Sequence, residues 1–342
     1  MLSVNFGKAS EQCQDFCMGK KINGVFLKGM IGWVSKRANK YLSGQNLALN
    51  PDPGHLEALQ NLKAALTPVH IAAILACLPE GLSEKSEAYT VYRDLKLTYA
   101  TNNGELVTGS VLGLIFNYKA FRSYKASIYN GYTLAEQLGI DCCPYCNRHY
   151  TTTHHTYYVN DNGTAVEKRV FPEFDHFYPQ KLHPVLALSF YNLIPSCTVC
   201  NTHYKNSRDS AHLFHPYTLH QHGAFRFTDF PKDVASLYGG GSAISIGFEY
   251  NCTDEMRIRL SNSKAFFGIK DIYDKCHGEL IRDIIFKKIA FSKRYMEELA
   301  GAYTLTFEDA YKIVFECHFE DENVHKRPFS KLKKDIFESP DL

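Results

Sequence analysis

The sequence has no apolar run that approaches the length of a membrane span, and its N-terminus lacks the charged-then-apolar pattern of a secretory signal. Both absences lead to the expectation of a cytoplasmic chain with no membrane partner. An excess of charge of one sign is missing too: 38 Lys and Arg against 36 Asp and Glu leave a formal net charge of +2. A nucleic-acid partner would have to be met by a local basic surface, because the field of the whole chain is weak. The N-terminal third shows no repeat and no low-complexity linker. With 45% hydrophobic residues over 342 positions, composition excludes disorder and allows a sizeable core in two or three subdomains. A disulfide framework does not fit either. Eleven cysteines are an odd number, and paired CxxC motifs suit metal-bound thiolates in a reducing cytosol. Cys13, Cys17, Cys77, Cys252, Cys276 and Cys317 read as small buried hydrophobes.

What is present is concentrated between Cys143 and Lys205. CPYC and CTVC place Cys143/Cys146 and Cys197/Cys200 as two knuckles, each offering two sulfurs to one tetrahedral, structural Zn²⁺. The gap between them is too wide for a compact ribbon, so a small folded unit is expected inside it. The runs 149–159 and 164–171 read as strands joined by the NDNG turn at 160–163. His149, His154 and His155 are then strand residues before they are ligands. In EFDH, alternation puts Phe174 and His176 on one face and Asp175 on the other. Ser196 is expected to cap a helix beginning near Cys197. Asn201 and Lys205 would share a face of that helix, with His203 pointing away.

The flanks read as mainly helical. One helix is expected from Gly24, carrying Val25, Phe26, Met30, Trp33, Val34 and Ala38 at three- and four-residue steps. A second carries Leu56, Leu59, Leu62 and Leu66, and a third starts at Thr67-Pro68. A fourth, Val111 to Tyr129, aligns Lys119, Arg122 and Lys125 as either a solvated face or a phosphate-contacting edge. A short helix ends at Gly139. Further on, the GGG at 239–241 suggests a boundary, and Ala243–Tyr250 and Met256–Leu260 read as β-prone. A long helix is expected from about Lys270 to Leu299, and a capped one opens at Thr306 with Asp309. The basic tail KRPFSKLKKD reads as a solvated end or a contact with nucleic acid or a partner. The expected fold class is α+β, mostly α. Residues 1–139 would form an N-terminal helical region, 140–217 a central zinc-bound module, and 218–342 a C-terminal helical region.

CPYCNR, EFDHFYP, ALSFYNLIPSC and the CN-x-x-x-K ending occur in the order that resembles the HNH (ββα-metal, His-Me finger) endonucleases, within a treble-clef zinc frame. The resemblance covers about residues 140–217. It implies a metal-dependent nuclease cutting nucleic acid, with DNA as the expected substrate. Phosphodiester hydrolysis needs a base for the attacking water and a cation at the leaving oxygen. His176 can take the proton, and Asp175 offers a hard oxygen to Mg²⁺ or Mn²⁺. The resemblance makes Asn201, where the family often has histidine, the other ligand of that ion. Asn192 would pin the loop that orients His176, and Lys205 would neutralise a phosphate oxygen. The finer likeness is to Septu-type nucleases of bacterial phage-defence loci, which work beside an ATPase partner. Two alternatives stay open: a zinc-stabilised binding module without catalysis, and an RNA-cleaving HNH toxin.

Overall fold

The computed structural model describes residues 6–123, 127–218, 223–231 and 244–339. Helices dominate, and the described strands pair only in two-stranded antiparallel sheets. These are β1 (Gly19–Ile22) with β2 (Val25–Lys28), β3 (Lys96–Ala100) with β4 (Leu106–Ser110), β5 (His154–Val159) with β6 (Ala165–Val170), β7 (Glu173–His176) with β8 (Leu193–Ser196), and β9 (Phe225–Pro231) with β10 (Ile244–Tyr250). No helix among the described residues is long and apolar enough to cross a membrane.

Local chemistry explains many boundaries. Asp52 and Thr67 cap the helices Pro53–Ala65 and Pro68–Leu75, each with proline in the first turn, where its missing N–H costs nothing. Asn130 accepts from Tyr132 N and Thr133 N to open Gly131–Leu138, and Gly139 closes it in the left-handed region at φ 57°. Asn160 Oδ1 accepts from Asn162 N and Thr164 N and shapes the β5–β6 turn. Thr306 and Asp309 form a reciprocal capping box at Phe307–Phe315.

Several sequence expectations are corrected. The helix read from Gly24 starts at Met30. Asn23 and Gly24, both at positive φ, turn the preceding residues into the β1–β2 hairpin. The expected helix from Val111 to Tyr129 is broken into Val111–Ile115 and Tyr118–Arg122. Lys119 and Arg122 are exposed there, while Lys125 lies outside the described residues. Met256–Leu260 belongs to the helix Asp254–Phe266, capped by Thr253, and is not a strand. The long helix expected from Lys270 is three: Ile269–Cys276, Gly278–Ala290 and Lys293–Ala302. Cys276 is exposed, and Cys77 and Cys252 are half-buried, so these three are not core residues. The GGG at 239–241 lies outside the described residues.

The basic tail is mostly not solvated: Arg327 is exposed, and its other cations are half-buried or buried. From Ser330 it is the helix Ser330–Glu338, whose Lys331 is buried and paired with Asp335 at 2.7 Å, while Lys334 pairs with Asp321 at 2.7 Å. Asp335 also accepts from Phe227 N at 2.9 Å, tying this helix to β9. Buried side chains from the N-terminal helices, the central module and the C-terminal helices join one hydrophobic cluster. Phe16 meets Phe190 edge-on at 5.7 Å, and Phe267 stacks on Tyr145 at 4.4 Å, so the central module is held from both flanks.

Candidate functional site

The four knuckle cysteines converge. All are buried, and their sulfurs lie within 4.8 Å of one another, the only such His/Cys/Asp/Glu group among the described residues. Cys146 Sγ and Cys197 Sγ are 3.9 Å apart. A tetrahedron with Zn–S bonds of about 2.3 Å has edges of about 3.8 Å, so the cage fits zinc. Burial drives the Cys143 thiol up, while Cys146 and Cys197, hydrogen-bonded by Cys143, are drawn down. Thiols sharing protons in this way are the set a divalent cation would deprotonate on binding. The first knuckle closes by Asn147 N donating to Cys143 O at 2.8 Å, with Asn147 at φ 49°. In the second, Cys200 N donates to Cys197 Sγ. His149, His154 and His155 are not part of the cage.

Between the knuckles, β7 and β8 pair with Asp175 opposite Ile194 and His176 opposite Leu193. The next element departs from expectation. Ser196 does not cap it, and its buried Oγ has no hydrogen-bond partner among the described residues. The winding is a π-helix, Val199–Lys205, ended by Asn206 N donating to Asn201 O at 2.6 Å with Asn206 at φ 49°. Asn201 and Lys205 do share the face turned towards β7, and His203 is exposed. Glu173 and Asp175, two residues apart in β7, lie on one face of the strand, and Asn201 and Lys205 meet them one each.

The pairing differs from the expected ligand set. Asn201 Nδ2 donates to Glu173 Oε2 at 2.8 Å, and the Thr198 and Thr202 hydroxyls donate to the same carboxylate. Asp175 receives Lys205 Nζ at 3.0 Å and the Tyr145 hydroxyl at 2.5 Å. Asp175 and Lys205 are each 1% exposed. Burial raises the Asp175 carboxyl pKa against the opposing pull of Lys205 and Tyr145. A carboxylate so enclosed does not fit Mg²⁺ or Mn²⁺, which keep several waters when bound. Asp175 and Asn201 therefore do not hold one ion in this arrangement. Lys205, spent on Asp175 and on the His176 carbonyl at 2.5 Å, does not reach out to a phosphate.

His176 projects from the other face of β7. Its Nε2 lies 3.0 Å from Ala187 O, and the Tyr118 ring packs edge-on at 4.4 Å. A carbonyl only accepts, so Nε2 carries the proton and Nδ1 keeps the lone pair. Burial pulls the imidazole pKa down to about 4, which keeps the ring neutral at pH 7. Asn192, fully buried, accepts from Tyr178 N at 2.7 Å and donates to Tyr178 O and Leu186 O. It thereby bridges the two ends of the loop that carries Ala187.

Sequence reasoning missed Tyr145, Glu173, Tyr118 and Asn147. Tyr145 sits inside CPYC and Glu173 is two residues before Asp175, so motif spacing could have flagged both. Tyr118 and Asn147 act through contacts no local pattern encodes. Asn147 receives Lys331 N at 3.2 Å on its side chain and Phe329 N at 2.7 Å on its carbonyl, joining the first knuckle to the C-terminal helix. Comparison with protein-family models, with curated proteins and with solved structures gave no match to this chain.

Proposed function

We propose that this chain is an HNH-type endonuclease that hydrolyses phosphodiester bonds of nucleic acid, DNA in the first instance. Residues 140–217 would form its treble-clef, ββα module. The observation that carries the reading is the fixed tautomer of His176: Nε2–H donates to Ala187 O, which leaves Nδ1 as a base at the end of a strand in a cysteine-pinned strand–strand–helix unit. In this reading Nδ1 accepts the proton of the attacking water. A ring with a pKa near 4 is a weak base, and an arriving phosphate, being anionic, would favour its protonated form. Mg²⁺ or Mn²⁺ belongs to the same reading and would supply positive charge at the leaving oxygen. At Asp175 that ion and the Lys205 ammonium are alternatives. Action in phage defence beside an ATPase partner rests on the resemblance of the motifs.

One observation favours a second reading, a zinc-stabilised binding module without catalysis: Asp175 is closed by Lys205 and Tyr145. The test incubates purified protein with plasmid, single-stranded DNA and tRNA, with and without Mg²⁺ or Mn²⁺. Cleavage of DNA that His176→Ala lowers by about 10²–10⁴-fold or more, with folding unchanged, supports the nuclease. Cleavage of tRNA alone points to an RNA-cutting toxin. No cleavage of any substrate leaves the binding module, and His176→Ala cutting as well as wild type removes His176 as the base.

A further inference from the structure

On the helix Met30–Tyr41, the buried face is Met30, Val34, Ala38 and Tyr41. Trp33, Lys36, Arg37 and Lys40, at helical spacing of three and four, form a second face that lines a cavity of about 710 Å³. Strand β2 contributes Phe26 and Lys28 to the same cavity, two residues apart and so on one face of the strand. Phe26 is 58% exposed and lines the same cavity as Trp33. The lining includes four cationic side chains and no Asp or Glu. Arg37 is held in place: its Nε donates to Leu114 O at 2.8 Å, and its guanidinium lies 4.7 Å from the Trp33 ring centre.

Flat aromatic surface beside fixed and mobile cations matches a ligand with a π-face and an anionic group. The volume lies within the range of small-molecule sites. We propose that this cavity binds a nucleoside phosphate, with the base against Trp33 and Phe26 and the phosphate among Lys28, Lys36 and Lys40. The nucleotide could be free or part of a single strand. An anionic lipid would also satisfy the charge. Two aromatic rings on one lining favour a base over an acyl chain. The inference is independent of the role of His176, since it concerns binding and uses none of the module's side chains.

Trp33 is the sole tryptophan of the chain beside 22 tyrosines, so fluorescence excited on the red edge, beyond tyrosine absorption, reports on this cavity. The full-length protein is titrated with AMP, with oligo(dT), and with phosphatidylglycerol vesicles. Quenching by AMP and by oligo(dT) supports a nucleotide site, and quenching by oligo(dT) alone supports a strand site. Lys36 and Lys40 are exposed, so Lys36→Glu combined with Lys40→Glu leaves folding intact. It should weaken binding at least about tenfold and flatten its salt dependence. Phe26→Ala, also at an exposed position, should lose about 5–150-fold in affinity, read from the anisotropy of a labelled oligonucleotide, the usual range for a stacking ring. Absence of quenching by both nucleic-acid probes overturns the proposal, as does quenching by vesicles alone. Charge-reversed protein that binds like wild type overturns it too.

Discussion

At the scale of single residues, the decisive feature is which carboxylate each side chain of the π-helix meets. Lys205 and Asp175 form an ion pair shut off from water, so removing one partner strands the other charge. Lys205→Met should lower stability by about 3–5 kcal/mol, read from urea unfolding. The double variant Lys205→Met with Asp175→Asn should recover part of that loss, because no buried charge remains. Failure to recover would mean that the pair is not the source of the effect. Asn201 and His203 separate in the same way. Asn201→Ala removes a bond to Glu173 and should destabilise by about 1 kcal/mol, more where Glu173 is left short of donors. His203→Ala, at an exposed position, should stay within about 0.5 kcal/mol of wild type in the same measurement.

At the scale of elements, the two knuckles carry the central module. They close around one set of sulfurs, and the first is tied twice to the C-terminal helices: Tyr273 donates to Cys146 O at 2.7 Å, and Asn147 receives Lys331 N at 3.2 Å. Zinc removal should therefore loosen more than the module. Structural zinc supplies on the order of 10 kcal/mol to small sites. Elemental analysis should find about one zinc per chain, and chelation should raise hydrogen exchange at 140–205 and at 324–335 together. Zinc-free protein with unchanged exchange in both stretches would show that packing alone holds them. Within 140–205 the β5–β6 ribbon is the exception: every residue of β5 is exposed, and the ribbon meets Tyr132 through His155 and Arg169. Its exchange should be fast with or without metal.

At the scale of the whole molecule, one hydrophobic cluster spans all three stretches of the chain, so histidines packed into the fold outside the cysteine cage weigh on global stability. Burial draws His215 down to a pKa of about 3 and His325 to about 4, from an ordinary 6.5. Between these values and 6.5 the unfolded chain binds more protons than the folded one. Stability is therefore complete above pH 6.5 and is lost as pH falls below it. Each unit below 6.5 costs about 1.4 kcal/mol per histidine. Going from pH 7 to pH 5 should remove on the order of 2–4 kcal/mol, seen as a lower urea midpoint. His215→Phe should remove part of the slope. A flat profile between pH 7 and pH 5 would show that these rings are hydrated in solution.

The sequence by itself determined the features that depend on neighbours in the chain. Cap residues at Thr67 and Thr306, the NDNG turn, the pairing of cysteines by two-residue spacing, and the opposite faces of Asp175 and His176 all follow from local geometry. Where local signals competed, the reading failed: Asn23-Gly24 outweighed a helical period, and breaks at His277 and Phe291 divided a continuous apolar stripe. Tertiary structure alone decided what each charged or polar side chain meets. A charge that is buried needs a partner, and the available partner depends on which elements pack together. The lysine thirty residues from Asp175 in sequence closed on it, the amide of Asn201 went to Glu173, and the basic tail became a buried helix because Asp335 and Asp321 were within its reach. A motif specifies which groups are present, and packing specifies which of them remain open to water and substrate.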